Sequence, residues 1–375
     1  MAATVECVPN FSEGRDKSVI EAISGSIGAA GCKVLHTDIG YDTNRTVITF
    51  AGEASNVAEA AFAAVKRASE LIDMRYHTGT HPRQGATDVL PLVPVSGISM
   101  AECADMARSL AARIYGELGI PCYCYGEAAF TPERKRLEVC REGEYEALEA
   151  KIADNKRRPD FCGESFTLQA ARSGATTVGA RDFLIAVNFN LDTDDVAVAK
   201  AIALDVRARG HNGIAGLLPG CKALGWYIPE YGFAQVSMNI TDISLTPLHV
   251  AYETVSAQAA LRGLHVTGTE IIGLVPKRVL LAAGAHFWQS ETSNPEILNS
   301  NRLQAIAKRV WADSRMASAE RRGLGQRPSI IGREFGLHAR PLPADNHLIS
   351  LAIKKMGLNT IRPYNVKERV LEYLL

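Results

Sequence analysis

Lys33-Val34-Leu35-His36-Thr37-Asp38-Ile39-Gly40-Tyr41-Asp42-Thr43-Asn44-Arg45-Thr46-Val47-Ile48-Thr49-Phe50-Ala51 decides the fold. Two runs rich in apolar and β-branched residues, Lys33–Thr37 and Arg45–Ala51, flank Asp38–Asn44, whose Gly, Asp and Asn suit a chain reversal. The stretch reads as an antiparallel strand pair. Working outward, Thr4–Phe11 has the pattern of a strand and Lys17–Ala30 that of a helix. After the pair come a helix over about Ser55–Leu71, an apolar strand at Asp88–Val95 and a helix starting near Ser99.

The same order returns in the second half. Phe183–Asn190 is an apolar strand and Asp194–Arg209 an amphipathic helix. Cys221–Ile228 and Ala234–Ile240 are strands, and a helix follows over about Pro247–Gly263. Glu270–Val275 is again a strand, with a helix from near Pro276. A β-α-β-β-α-β-α order used twice indicates two related subdomains, 1–178 and 179–375, joined near Gly174–Arg181. The expected fold class is α+β: ferredoxin-like-type α/β sandwiches with mixed or antiparallel sheets and helices on one face. A pocket between two such subdomains is an ordinary place for a ligand. The polar Gln289–Asn301 and the Arg- and Gly-rich Arg315–Arg340 mark an insertion at about 289–340. His347–Leu375 is expected to fold back as a helix-containing segment.

Composition narrows the classes. Lys+Arg and Asp+Glu both total 41 among 375 residues, so no basic excess suggests nucleic acid. Hydrophobic residues at 47% and charged ones at 22% describe an ordinary globular chain. Met1-Ala2-Ala3-Thr4-Val5-Glu6-Cys7 lacks the basic and apolar regions of a secretory signal, and no apolar stretch approaches a membrane span. The cysteines form no CxxC pair, which makes reduced thiols and a cytoplasmic location the expectation. Cys122 and Cys124 would share one face of a strand as small core residues.

The chemistry gathers in His77-Thr78-Gly79-Thr80-His81-Pro82-Arg83-Gln84-Gly85, which its Gly and Pro residues keep out of regular structure. Histidine exchanges protons near neutral pH, and arginine offers a fork of donors to a carboxylate. His77 and His81 have the four-residue spacing of helical metal ligands, but Gly79 and Pro82 argue against a helix and thus against a metal. The remaining histidines, among them His249 and His286, stand alone in the sequence and read as surface or satisfied core groups. Asn10 and Ser12, entering the first helix, are cap or ligand candidates.

Val5-Glu6-Cys7-Val8-Pro9-Asn10-Phe11-Ser12-Glu13-Gly14 resembles the opening of the formiminotransferase family, tetrahydrofolate-dependent one-carbon transferases. The resemblance runs through Asp38, Gly40 and Asn44-Arg45-Thr46-Val47, then through His77, Gly79, His81-Pro82-Arg83, Gly85-Ala86 and Asp88. It continues at Tyr125-Gly126-Glu127, Gly143-Glu144-Tyr145-Glu146, Pro159-Asp160-Phe161, Gly174-Ala175-Thr176, Gly179-Ala180-Arg181, Gly225-Trp226-Tyr227 and Lys367-Glu368-Arg369. It implies two α/β subdomains with a ligand tunnel between them and a homodimer. Tetrahydrofolate is the implied co-substrate with no metal, and His81 the catalytic residue. The bifunctional relatives carry a cyclodeaminase domain after this one; this chain stops at Leu375, so that activity is expected to be absent.

The residues suggest how such a reaction would run. A neutral His81 could take the proton of the attacking folate nitrogen and return one to the departing glutamate nitrogen. Arg45, Arg83 and Arg181 are candidates to clamp substrate carboxylates, and Asp38 or Glu127 to orient the histidine or steady positive charge. The resemblance implies folate contacts at Gly163, Glu164, Ser165, Phe166, Gly174 and Ala175, although the loop Cys162–Ser173 is longer than the family's and lacks its proline. Tyr364-Asn365-Val366 also replaces the family's Phe-Asp-Pro. The expected function is formimino transfer from N-formimino-L-glutamate to tetrahydrofolate in histidine degradation. A formyltransferase or glycine formiminotransferase using the same base, and a non-catalytic folate-binding protein, are the alternatives.

Overall fold

A computed structural model describes residues 3–41, 43–79, 81–291, 341–360 and 364–374. The chain divides into two compact units, Met1–Asp182 with Tyr373–Leu375, and Phe183–Glu372.

The first unit runs β1 (Thr4–Cys7), β2 (Asn10–Phe11), α1 (Lys17–Ala29), β3 (Lys33–Gly40), β4 (Arg45–Glu53), α2 (Ala54–Leu71), β5 (Thr87–Ser96) and α3 (Met100–Leu118). β6 (Cys122–Gly126) and β7 (Thr176–Ala180) follow, separated by short helices α4 (Leu137–Cys140), α5 (Leu148–Ala153) and α6 (Leu168–Ser173). β1 and β2 occupy one sheet position between β4 and β5, interrupted at Val8-Pro9, where proline has no N–H to give a ladder. The opening hairpin is the antiparallel pair β3–β4. Side chains alternate along β4: Ile48 and Phe50 are fully buried against α1 and α2, while Arg45, Val47 and Thr49 point to the other face. Asp16, not Asn10 or Ser12, caps α1 by accepting the Ser18 N–H. Ser99 and Glu102 form a capping box on α3.

The second unit runs β8 (Ile185–Leu191), α7 (Val196–Val206), β9 (Cys221–Ile228), β10 (Phe233–Ile240), α8 (Leu248–Ala260), β11 (Val266–Ile272) and α9 (Lys277–Glu291). α10 (Asp345–Met356) and α11 (Val366–Arg369) end it. Its sheet is antiparallel throughout in the order β11-β8-β10-β9. Counted along the repeat, that is fourth, first, third, second. β5, β1, β4 and β3 stand in the same order in the first unit, so the duplicated pattern produces two ferredoxin-like sheets. Ile349, Ala352, Ile353 and Met356 of α10 enter the second core, which is how the terminal segment folds back.

Three readings of the pattern need correction. Gly174–Arg181 is no plain joint: it contains β7, fully buried and parallel to both β5 and β6. Its Thr, Gly and Ala residues carry no apolar alternation to announce a strand. Helices also cover more than one face: Cys122 and Cys124 enter the α1–α3 core as expected, but Tyr123 and Tyr125 pack on the opposite side against Leu148, Ile152 and Ala170. Finally, His249 and His286 are not solitary, since their rings stack at 4.4 Å and His286 Nε2 lies 2.8 Å from Glu253. Of the expected insertion, Gln289–Glu291 end α9, and 292–340 lie outside the described residues.

α10 approaches α9 at Gly284, where an added Cβ would stand 2.1 Å from the Leu348 carbonyl oxygen. Alanine is the better helix former by about 1 kcal/mol, but overpacking against backbone costs about 1–3 kcal/mol. We expect Gly284→Ala to lower the urea-unfolding free energy; a gain would contradict this packing.

Candidate active site

One carboxylate organises the site. Asn10 pairs with Val89 and Phe11 with Thr87, so β5 holds one residue more than its partner, and that residue is Asp88. A bulge re-aims its side chain. Asp88 is fully buried; its Oδ1 accepts the Gln84 N–H at 2.9 Å, and its Oδ2 accepts Arg45 Nη1 at 2.5 Å and Arg141 Nη2 at 2.8 Å. A buried charge must be paired and hydrogen-bonded, and here it is held from three separate stretches of chain. Asn10 Oδ1 takes Arg45 Nε at 3.2 Å. Burial pulls the Arg45 guanidinium below its ordinary pKa, with Asp88 opposing that shift.

The histidine loop is pinned along its length. Asn44, in the left-handed region at φ 46, accepts from Gly14 N–H at 2.9 Å and donates Nδ2 to the Thr78 carbonyl at 2.9 Å. His77 Nε2 lies 2.9 Å from the Asn44 carbonyl oxygen, which commits that nitrogen to a structural bond. At the other end the Ala86 N–H donates to Ser173 O at 2.8 Å and the Ala175 N–H to Gln84 O at 3.1 Å. Gly174 between them has φ +66, and a Cβ there would meet Gln84 O at 2.2 Å. Ser12 Oγ donates to Gly85 O at 2.8 Å. Behind the loop the buried Lys151 donates Nζ to the carbonyls of Cys140 at 2.5 Å and Glu142 at 3.3 Å and to Gln84 Oε1 at 3.3 Å; burial pushes its pKa down to about 8.

His81 itself presents an asymmetric ring. Nδ1 is 2.7 Å from the Pro82 carbonyl oxygen, a group that can only accept. The proton of the neutral ring therefore belongs on Nδ1, and Nε2 carries the lone pair. Burial first, then the positive charge of Arg45, pushes the His81 pKa down to about 4; Arg141 lowers it further, while the Pro82 bond and Asp88 oppose the shift. At neutral pH the ring is a neutral proton acceptor.

The other candidates fall at two ends of the first sheet. Asp38 pairs across the hairpin with Val47, on the same face as Arg45 and two positions along β3 from Gly40, its cross-strand partner. Arg83 lies within the loop, with Nη1 and Nη2 on Glu146 at 2.7 and 2.6 Å and Nη1 on Glu144 at 3.5 Å. Gly174 and Ala175 adjoin Gln84 and Gly85. Arg181 and Glu127 stand at the opposite end of β7, about 20 Å away at the usual strand rise. There Arg181 N–H bonds Leu92 O and its guanidinium reaches Asp182 O and Tyr125, while the Glu127 carboxylate pairs with Lys135 at 2.9 Å. Gly163, Glu164, Ser165 and Phe166 form the approach to α6; Phe166 packs on the Tyr123 side of the sheet, and Glu164 and Ser165 are exposed. Sequence reasoning gave no role to Asp88, Arg141, Asn44 or Lys151. Asp88 and Asn44 lay within the recognised motifs, but only strand register exposes the bulge. Among the described residues no cluster of three or more His, Cys, Asp or Glu is placed to hold a metal. No described helix is long and apolar enough to cross a membrane.

Comparison with known proteins places this chain in a family. Residues 4–181 match the N-terminal subdomain of the formiminotransferase domain, and residues 186–315 match the formiminotransferase domain. The chain belongs to the formiminotransferase family. It is 42% identical over 288 residues to a glutamate formimidoyltransferase of Thermoplasma acidophilum, covering 76% of this chain and 92% of that protein. A glutamate formimidoyltransferase of Streptococcus pyogenes is 39% identical over 292 residues, 78% of this chain and 95% of that one. The formimidoyltransferase-cyclodeaminase of Rattus norvegicus is 39% identical over 377 residues, all of this chain, which spans 60% of that protein's length.

Removing Asp88 would leave two guanidiniums facing a buried void. Asp88→Ala is expected to cost about 3–5 kcal/mol, the range for breaking a buried ion pair. Urea denaturation reads it, and a loss below about 1 kcal/mol would show the pair to be dispensable.

Proposed function

We propose that this chain transfers the formimino group of N-formimino-L-glutamate to tetrahydrofolate, giving 5-formimidoyltetrahydrofolate and L-glutamate, as a step of histidine degradation. The observation that carries the reading is the His81 ring, with Nδ1–H committed to Pro82 and Nε2 left as the acceptor. Family membership and the relatives named glutamate formimidoyltransferase support the donor and the acceptor.

The atoms balance with one base. N5 of tetrahydrofolate attacks the formimino carbon, forming a C–N bond, and its proton passes to His81 Nε2. The imidazolium then gives a proton to the glutamate nitrogen as the second C–N bond breaks. A ring whose pKa lies near 4 holds that proton weakly, which favours handing it on. We assign the carboxylate of the donor to Arg83, because its main partner Glu146 is well exposed and can be exchanged for another carboxylate. Arg45 is committed to Asp88 and serves the ring electrostatically instead. Gly163 to Phe166 would contact the folate.

We further propose that the protein works in the cytoplasm as a homodimer. The cysteines are unpaired thiols, all but Cys162 buried, which suits a reducing compartment. Twice the chain mass in light scattering is the expected result, and a monomer would refute the dimer.

Steady-state assays with formiminoglutamate, formylglutamate and formiminoglycine should show turnover with the first; turnover with none would sink the enzyme reading. His81→Ala should lower kcat by about 10²–10⁴-fold, the contribution of a general base, with the fold retained. Because protonation of a ring with its pKa near 4 removes the base, kcat/KM should hold level from pH 8 to about 6 and fall only below about pH 5. An acid limb centred at about 6.5, the ordinary histidine value, would contradict the site electrostatics.

A further inference from the structure

The oxygen that fixes the His81 tautomer is itself held. Arg141 follows α4 and reaches back to the loop, where its Nη2 donates to two acceptors, the Pro82 carbonyl oxygen and Asp88 Oδ2. One nitrogen with two hydrogens thus links the buried carboxylate to the carbonyl that receives His81 Nδ1–H. The Arg141 side chain is largely buried, its Nε makes no hydrogen bond among the described residues, and Nη2 is the guanidinium nitrogen that makes this bridge. Asp88 cannot drift either, because Gln84 N–H and Arg45 hold its two oxygens.

We propose that Arg141 is a positioning residue for the reaction, gripping the Pro82 carbonyl so that His81 keeps its proton on Nδ1 and its lone pair on Nε2. This rests on His81 being the base. The argument is geometric. A peptide carbonyl in a Pro-containing loop can rotate away, and the ring would then be free to carry its proton on either nitrogen. In the Nε2–H tautomer the ring has no lone pair facing the reacting atoms. Arg141 removes that freedom at the carbonyl rather than at the ring. During transfer Nε2 gains the proton, both ring nitrogens are then N–H, and the Nδ1–H bond to Pro82 persists, so no reorganisation is needed before Nε2 gives the proton up. The charged groups around the ring are Arg45, Arg141 and Asp88, and the first two oppose the imidazolium while the third favours it. Losing Arg141 therefore also lets the ring take a proton more readily.

The test separates this role from fold and from the identity of the donor. In the intact chain with ¹⁵N-labelled histidine, His81 (assigned by comparison with His81→Gln) should show Nδ1–H in the unaltered protein. Arg141→Ala and Arg141→Lys should both show a mixture of tautomers, with the thermal melt verifying that each is folded. In the same variants kcat should fall about 10- to 100-fold with KM little changed, the acid limb of kcat/KM should move to higher pH, and methylguanidinium should restore part of kcat in Arg141→Ala. A folded variant that keeps Nδ1–H and an unmoved acid limb overturns the proposal. Since the tautomer is read without substrate, failure of every donor assay would refute the proposed reaction while this result still decided the role of Arg141.

Discussion

The Asp88 carboxylate is the constraint on which the rest of the site depends. A charge without solvent is costly unless cations and donors surround it, so whatever supplies those partners is fixed in place with it. Here the partners come from β4 through Arg45, from the chain after α4 through Arg141, and from the histidine loop through the Gln84 N–H. The β5 bulge turns the carboxylate toward them. A loop rich in glycine and proline, which alone would sample many conformations, is thereby held by a rigid sheet.

That arrangement also sets the proton affinity of His81. Two arginines close to the ring would be mutually repulsive without Asp88 between them; with it they remain, and their charge together with burial keeps the ring neutral. The neutral ring turns its N–H toward Pro82 and keeps Nε2 as the acceptor. In the reaction proposed above, a weak base suits a proton that must be taken and then returned within one turnover.

Much of this was legible in the sequence. The hairpin and the repeat announced themselves because alternation and helical periodicity are strong where one face of an element is buried, as at Ile48 and Phe50. β7 was hidden because Thr176, Thr177, Gly179 and Ala180 pack by being small rather than apolar. His81 stood out because its loop is specific. Its partners did not: Arg45, Arg83 and Arg181 look alike in sequence, and only the fold sends one to a buried aspartate, one to a pair of glutamates and one to the far end of a strand. Glu127 was misleading for the same reason, sitting beside Arg181 rather than beside the histidine. Asp88 lay in view within a recognised motif, yet its role depends on a single extra residue in a strand, which periodicity does not reveal.

The central claim is that the His81 ring is neutral, protonated on Nδ1 and hard to charge. The direct measurement is a pH titration of its ring ¹³C and ¹⁵N resonances in the intact chain. The account predicts a single Nδ1–H form at neutral pH with a midpoint near about 4. A midpoint at or above the ordinary histidine value, or a ring protonated on Nε2, would contradict it.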